Sequence, residues 1–197
     1  MAQQGLLDLS KVTTFNLDEY YRIKKEDPQS YNYYMRRNFW EPAGIPSGRA
    51  HIPDGNPEDA SAECRRYEQK IREAGGIDLQ VLGIGVNGHI GFNEPGEVLH
   101  AETHLVQLSG ETIAANSRFF EKAEDVPCWA LTMGMGTIMK ARRILLLAAG
   151  SNKAEAIRDT VKGPITTMVP ASLLQAHPRV TVMVDREAGQ YLPGKRR

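Results

Sequence analysis

The sequence predicts an α/β protein with a mostly parallel sheet and helices on both faces. Three observations lead there. Four short segments, Val12–Leu17, Ile77–Ile84, Arg143–Ala149 and Val180–Val184, are rich in Val, Ile and Leu and close on Gly or polar residues, as buried strands do. Helical signals fill the stretches between them, and strands alternating with helices imply parallel pairing. The 197 residues, 41% hydrophobic and 24% charged, have ordinary globular composition without repeats, low-complexity stretches or an interior linker. Residues 1–197 therefore read as one domain.

After the first strand, Asp27 can cap a helix that starts at Pro28 and carries Tyr31, Tyr34 and Met35 on one side. The strongest helix runs from Pro57 to Ala74. Asn56 can cap it, Pro57 suits the first helical position, and Glu58 and Asp59 favour the positive end of its dipole. Ala60, Cys64, Tyr67 and Ile71 recur at helical spacing until Gly75–Gly76 stops the run. A third helix spans Lys153 to about Val161, ended by Gly163–Pro164.

Composition excludes several partners. Lys plus Arg and Asp plus Glu balance at 24 each, giving a formal net charge of zero, so neither nucleic acid nor a membrane surface is expected. Cys64 and Cys128 match no metal or redox spacing and read as free thiols of a reducing compartment. With no basic leader and no apolar run near the ~20 residues that span a bilayer, a cytoplasmic location is the default.

In open parallel sheets, ligands bind outside the carboxyl ends of the strands. Three strand ends carry unusual residues. Phe15-Asn16-Leu17-Asp18-Glu19-Tyr20 puts two adjacent carboxylates where burial is expected. Such a site suits a general base of raised pKa, although Asp18 could equally cap the next turn.

The second end is Gly83-Ile84-Gly85-Val86-Asn87-Gly88-His89-Ile90-Gly91-Phe92-Asn93-Glu94-Pro95-Gly96. It contains G-x-G-x-x-G after a strand, but Gly91, Pro95 and Gly96 arrive too soon for the helix that dinucleotide binding requires. What is left is a loop in which Gly83, Gly85 and Gly88 let backbone approach a polar ligand. His89 stands between Asn87 and Glu94, a pattern suited to proton transfer near neutral pH or to a purely structural histidine. The third end, Gly150-Ser151-Asn152-Lys153, makes an anion site or simply a capped helix with a solvated Lys153. Arg118 is a possible second phosphate ligand or a plain surface residue.

No G-x-S-x-G, H-E-x-x-H, C-x-x-C or Walker sequence occurs, and His51, His100, His104 and His177 form no metal spacing. The terminal Gly194–Arg197 reads as a frayed tail.

These segments together resemble the glucosamine-6-phosphate deaminase family. The matches are VTTFNLDEY (Val12–Tyr20), PQSYNYYMRRNF (Pro28–Phe39), GIGVNGHIGFNEPG (Gly83–Gly96), ANSRFF (Ala115–Phe120), ALTMGMGTIM (Ala130–Met139) and GSNKAEAI (Gly150–Ile157). The resemblance implies a Rossmann-like sugar-phosphate isomerase architecture and conversion of glucosamine 6-phosphate and water to fructose 6-phosphate and ammonia. No cofactor and no metal is implied, and a homo-oligomer is possible. It makes Asp18 the base that moves a proton between C2 and C1, His89 the handler of the ring-oxygen proton, and Glu94 its orienting carboxylate. Asn87, where some members carry Asp, would support ring opening by orienting the imidazole. Arg118 and Lys153 would hold the substrate phosphate, and about His104–Met133 matches a mobile lid.

Three departures carry expectations. Members normally place another strand and a Gly/Thr-rich phosphate loop before VTTFNLDEY, and Met1–Gly5 here looks like the end of the helix that follows them. The chain so read is N-terminally incomplete, with reduced activity expected. Tyr21–Glu26 replaces a Val-Gly-Leu stretch, which could alter the rim of the site. His104 and Val106 occupy positions where some members carry basic allosteric residues, so no such control is expected. The competing readings are a 6-phosphogluconolactonase-like hydrolase, against which Phe92–Pro95 argues, and a catalytically impaired sugar-phosphate-binding fragment.

Overall fold

The computed structural model describes residues 8–117, 120, 122 and 125–193. Met1–Gly5, the tail at Gly194–Arg197 and Arg118 lie outside them. Along the chain run β1 (Thr14–Phe15), β2 (Asp18–Tyr20), α1 (Tyr31–Met35), α2 (Glu41–Ala43), β3 (Ala50–His51), α3 (Ala60–Glu73) and β4 (Gln80–Leu82). Then follow β5 (His104–Gln107), α4 (Gly110–Asn116), β6 (Trp129–Thr132), α5 (Met135–Met139), β7 (Ile144–Ala148), α6 (Ala154–Lys162) and β8 (Val180–Val184). They fall into two compact units, residues 1–70 with 103–132 and residues 71–102 with 133–197.

The second unit carries the expected parallel sheet, in the order β4-β7-β8. Leu82 aligns with Leu146, and Ile144 with Val180. Leu82, Ile144 and Leu146 are almost fully buried, as are Ile138 of α5 and Ile157 of α6. At roughly 25 cal/mol per Å2 of apolar surface, each such side chain contributes about 1.5–3 kcal/mol. Alternate residues along these strands point to the other face, where Val81, Leu147 and Met183 are exposed.

The first unit holds two small sheets. β1 pairs with β3 in parallel, so that Phe15 stacks on His51 with ring centroids 4.8 Å apart. Burial and the nearby Lys70 and Arg66 charges lower the pKa of His51. The other sheet, β2-β6-β5, is antiparallel throughout and has no counterpart among the strands expected from the sequence. It is built largely from the segment marked as a lid. Tyr67 of α3 is fully buried in this unit and donates its hydroxyl to the Asn16 carbonyl at 2.7 Å.

Helix starts differ from expectation by about one turn. Ser30, not Asp27, caps α1, its hydroxyl accepting the Tyr33 N–H at 2.9 Å, while Asp27 closes a turn by accepting from Gln29. Asp59, not Asn56, holds the start of α3 by accepting the N–H groups of Ser61 and Ala62. A short 3-10 turn, Ser151–Lys153, precedes α6.

Candidate active site

Asp18 and Glu19 lie on a strand of their own rather than beyond the end of β1. The chain turns at Asn16–Leu17, and β2 then pairs with β6, Asp18 opposite Thr132 and Glu19 opposite Leu131. Successive residues leave opposite faces of a strand, so the two carboxylates are separated by the backbone. Asp18 is partly buried, and no hydrogen-bond donor among the described residues reaches its carboxylate. Burial, and then the charge of Glu19, push its pKa from the ordinary 3.8 up to about 7. A carboxyl so tuned is half ionised near neutrality, where a general base works best. Tyr20 and Tyr31 stack with ring centroids 5.0 Å apart, and burial raises the pKa of both, with the Asp18 charge adding to it.

The glycine-rich loop follows β4. Its tight turn is closed by the Gly88 N–H on the Gly85 carbonyl (3.1 Å) and the Gly85 N–H on the His89 carbonyl (2.9 Å). The three glycines expected to matter behave differently. A Cβ at Gly85 would overlap the imidazole of His89, so that ring lies directly on the glycine backbone. Gly88 has φ +83° and meets Val169 at 2.7 Å from where a Cβ would stand. Gly83 has open space and no special φ.

His89 and Glu94 come together as expected. Nδ1 lies 3.2 Å from Glu94 Oε2, a close electrostatic contact that is out of line for a hydrogen bond. Both side chains are mostly shielded, at 21% and 13% exposure. Asn87 makes no bond to the imidazole. Its Nδ2 donates to Glu94 Oε2 at 2.9 Å, and its Oδ1 accepts the backbone N–H of His89 at 3.2 Å. It therefore fixes the carboxylate and the His89 backbone, not the ring. Asn93 is buried and ties the loop down by donating to the carbonyls of Ile90 and Met133, both at 2.9 Å. From the far side, the Ala171 N–H donates to the Gly88 carbonyl at 2.9 Å.

Lys153 ends the 3-10 turn that opens α6. Gly150, at φ +89°, makes the sharp entry from β7, and its N–H donates to Asp185 Oδ2 at 2.9 Å. Asp185 also accepts the Ala188 N–H at 2.7 Å, and these bonds lower its pKa. Sequence reasoning missed this brace, although Asp185 directly follows β8 and the strand-end rule covers it. Arg118 lies outside the described residues. His177 is structural, bonded between the Ala141 carbonyl (2.8 Å) and the Arg179 N–H (3.1 Å).

Among the described residues no group of three or more His, Cys, Asp or Glu could hold a metal ion, and no helix is long and apolar enough to cross a membrane. A His–carboxylate pair suits proton transfer, as a carboxylate of raised pKa does by itself, and a Gly-Ser-Asn-Lys turn at a helix start suits an anion. Comparison with known proteins shows what the chain is similar to. The chain is 60% identical over 192 residues to a glucosamine-6-phosphate deaminase of Halothermothrix orenii, covering 98% of this chain and 80% of that one. It is 55% identical to the enzyme of the same name from Thermoanaerobacter pseudethanolicus, over 98% and 76%. A solved monomeric glucosamine-6-phosphate deaminase superposes with a TM-score of 0.92 at 48% identity, over 95% of this chain and 78% of that one. A 6-phosphogluconolactonase from Leishmania guyanensis, 20% identical with a TM-score of 0.71 over 98% and 81%, shares the fold. The model for glucosamine-6-phosphate isomerases/6-phosphogluconolactonase matches residues 1–183, and the chain belongs to that family.

Proposed function

We propose that this chain converts glucosamine 6-phosphate and water to fructose 6-phosphate and ammonia. The observation that carries the reading is Glu94 placed against the His89 imidazole by the Asn87 amide. That gives a purpose to the Phe92–Pro95 run that distinguishes deaminases from lactonases.

His89 takes the proton of the C1 hydroxyl and delivers it to the ring oxygen as the bond from C1 to that oxygen breaks, opening the sugar to its aldehyde. Glu94 holds the imidazole in orientation. Asp18 removes the proton from C2 as the aldehyde oxygen gains one from water, leaving an aminoenol, and then returns its proton to C1 as the amino group gives one up to water. The product is an imine at C2. Water adds there and ammonia leaves, so that one water is consumed for each ammonia released. Lys153 and Arg118 hold the phosphate, with Asp185 bracing the turn that carries Lys153. Gly83, Gly85 and Gly88 form the loop that lets backbone and imidazole approach the substrate.

The chemistry asks for no cofactor or metal, and a cytoplasmic location belongs to the same reading. A homo-oligomer is compatible with it, and so is the single chain described for the 48%-identical relative.

The test is ammonia release from glucosamine 6-phosphate by the wild type and by Asp18→Asn. Turnover in the first and its loss in the second is the expected result. Wild-type turnover that Asp18→Asn leaves intact would remove Asp18 as the base, and no ammonia from either would put the catalytically impaired sugar-phosphate-binding fragment in place of the deaminase reading.

A further inference from the structure

Asp18 and Glu19 are neighbours in opposite electrostatic circumstances. Glu19 is 1% exposed. Its Oε1 accepts the N–H groups of Tyr20 and Tyr31, each at 2.9 Å, and its Oε2 accepts that of Asn32 at 2.8 Å. Three amide donors, two of them in the opening turn of α1, match a carboxylate. A protonated carboxyl would point an O–H at a group that is itself a donor. No cation among the described residues pairs with Glu19. Burial raises the pKa of Glu19 against the pull of these three amide bonds, with the Asp27 charge adding to the rise. The charge it carries is held by backbone amides, fixed in position and not neutralised. A charge of this kind, shielded from water, acts on a neighbour with little screening.

We propose that Glu19 is a positioning residue for Asp18: a carboxylate, clasped by backbone, whose charge strengthens the neighbouring carboxylate as a proton acceptor while tying β2 to the start of α1. The inference rests on the reading of Asp18 as the base. Burial is the larger cause of the raised Asp18 pKa and the Glu19 charge the second. The other titratable groups nearby are Asp27, whose charge bears on Glu19, and Tyr20, Tyr31 and Tyr67, each kept neutral by burial. On the sheet side, β6 presents uncharged Thr132 and Leu131, with His104 of β5 beyond Thr132.

The experiment is the pH profile of kcat/KM for the wild type, Asp18→Asn, Glu19→Gln and Glu19→Asp. Ionisation of the substrate phosphate is common to all and cancels in the comparison. Removing the charge in Glu19→Gln should move the acid limb down by about one pH unit, because a like charge no longer opposes ionisation of Asp18. Glu19→Asp keeps the charge on a shorter arm, so its limb should stay near the wild type even where its rate is lower. A Glu19→Gln profile that is lower at every pH with its limb unmoved would reduce Glu19 to scaffolding and overturn the proposal. So would a limb that moves equally in Glu19→Asp. Activity retained in Asp18→Asn would instead remove the base itself, a distinguishable failure. Should Glu19→Gln not fold, carboxyl 13C resonances of the wild type decide. Glu19 must stay at its ionised shift throughout the Asp18 titration, and a Glu19 that titrates with or above Asp18 overturns the proposal.

Discussion

Two carboxylates, one in each unit, are held in contrary ways. In the first, Asp18 has no donor among the described residues and sits beside a like charge. In the second, Glu94 receives an amide from Asn87 and lies against an imidazole. Burial without a donor makes a carboxylate bind protons more readily, whereas an amide donor holds it in place. A base that must take a proton from carbon needs the first condition, and a group that must hold a ring in orientation needs the second.

The largest expected effect comes from breaking the deprived side. Asp18→Asn should lower kcat about 10³-fold, within the range for loss of a positioned general base. In the wild type kcat/KM should fall as pH drops through about 7, because the base must be ionised to act. Stability should run the other way. The pKa of Asp18 is raised by folding from the ordinary 3.8, so its contribution to stability is complete below about pH 4 and lost as pH rises through about 7. Asp18→Asn never ionises. Its thermal midpoint should therefore exceed that of the wild type by a few degrees at pH 8, and the gap should shrink toward pH 4 in scanning calorimetry.

On the satisfied side, Gly85→Ala should displace the imidazole and lower kcat about 10²-fold, as misplacement of a reacting group by ~1 Å does. A crystal structure with His89 unmoved and activity intact would contradict that. Asn87→Asp turns the donor facing Glu94 into a like charge, so one carboxyl of the pair keeps its proton to higher pH. The rate should stay within about tenfold of the wild type, with an extra ionisation in the pH profile that Asn87→Ala lacks. The smallest effect belongs to Asp185→Asn. Loosening the Gly150 turn should raise KM about two- to fivefold with kcat nearly unchanged, since the role proposed for Lys153 serves binding more than chemistry.

The second unit was far more legible in the sequence than the first. β4, β7 and β8 read directly because strands of a parallel sheet are continuous apolar runs between glycines. The β2-β6-β5 sheet gave no such signal. Asp-Glu-Tyr is a poor strand by composition, and β5 and β6 find β2 across more than eighty residues of chain, where only tertiary pairing decides. Helix starts slipped because Asp27 and Ser30, or Asn56 and Asp59, are competing caps that propensity alone does not rank. Within the site, Asp18, His89 and Glu94 stood out because their chemistry is unusual for their surroundings. Asp185 did not, because its role is to hold a backbone amide, which any capping Asp can do. Asn87 was visible but its target was misread, since a sequence does not show which neighbour an amide faces.

The contrast among the loop glycines has a consequence for how this chain can vary. Three residues that look alike in the sequence impose three different limits on change. Position 85 is closed to every side chain, because the imidazole occupies the space. At position 88 the obstacle is the backbone angle as well as Val169, so even a small residue is strained. Position 83 meets no neighbouring protein atom, so a side chain there is limited by what the loop binds and not by the histidine.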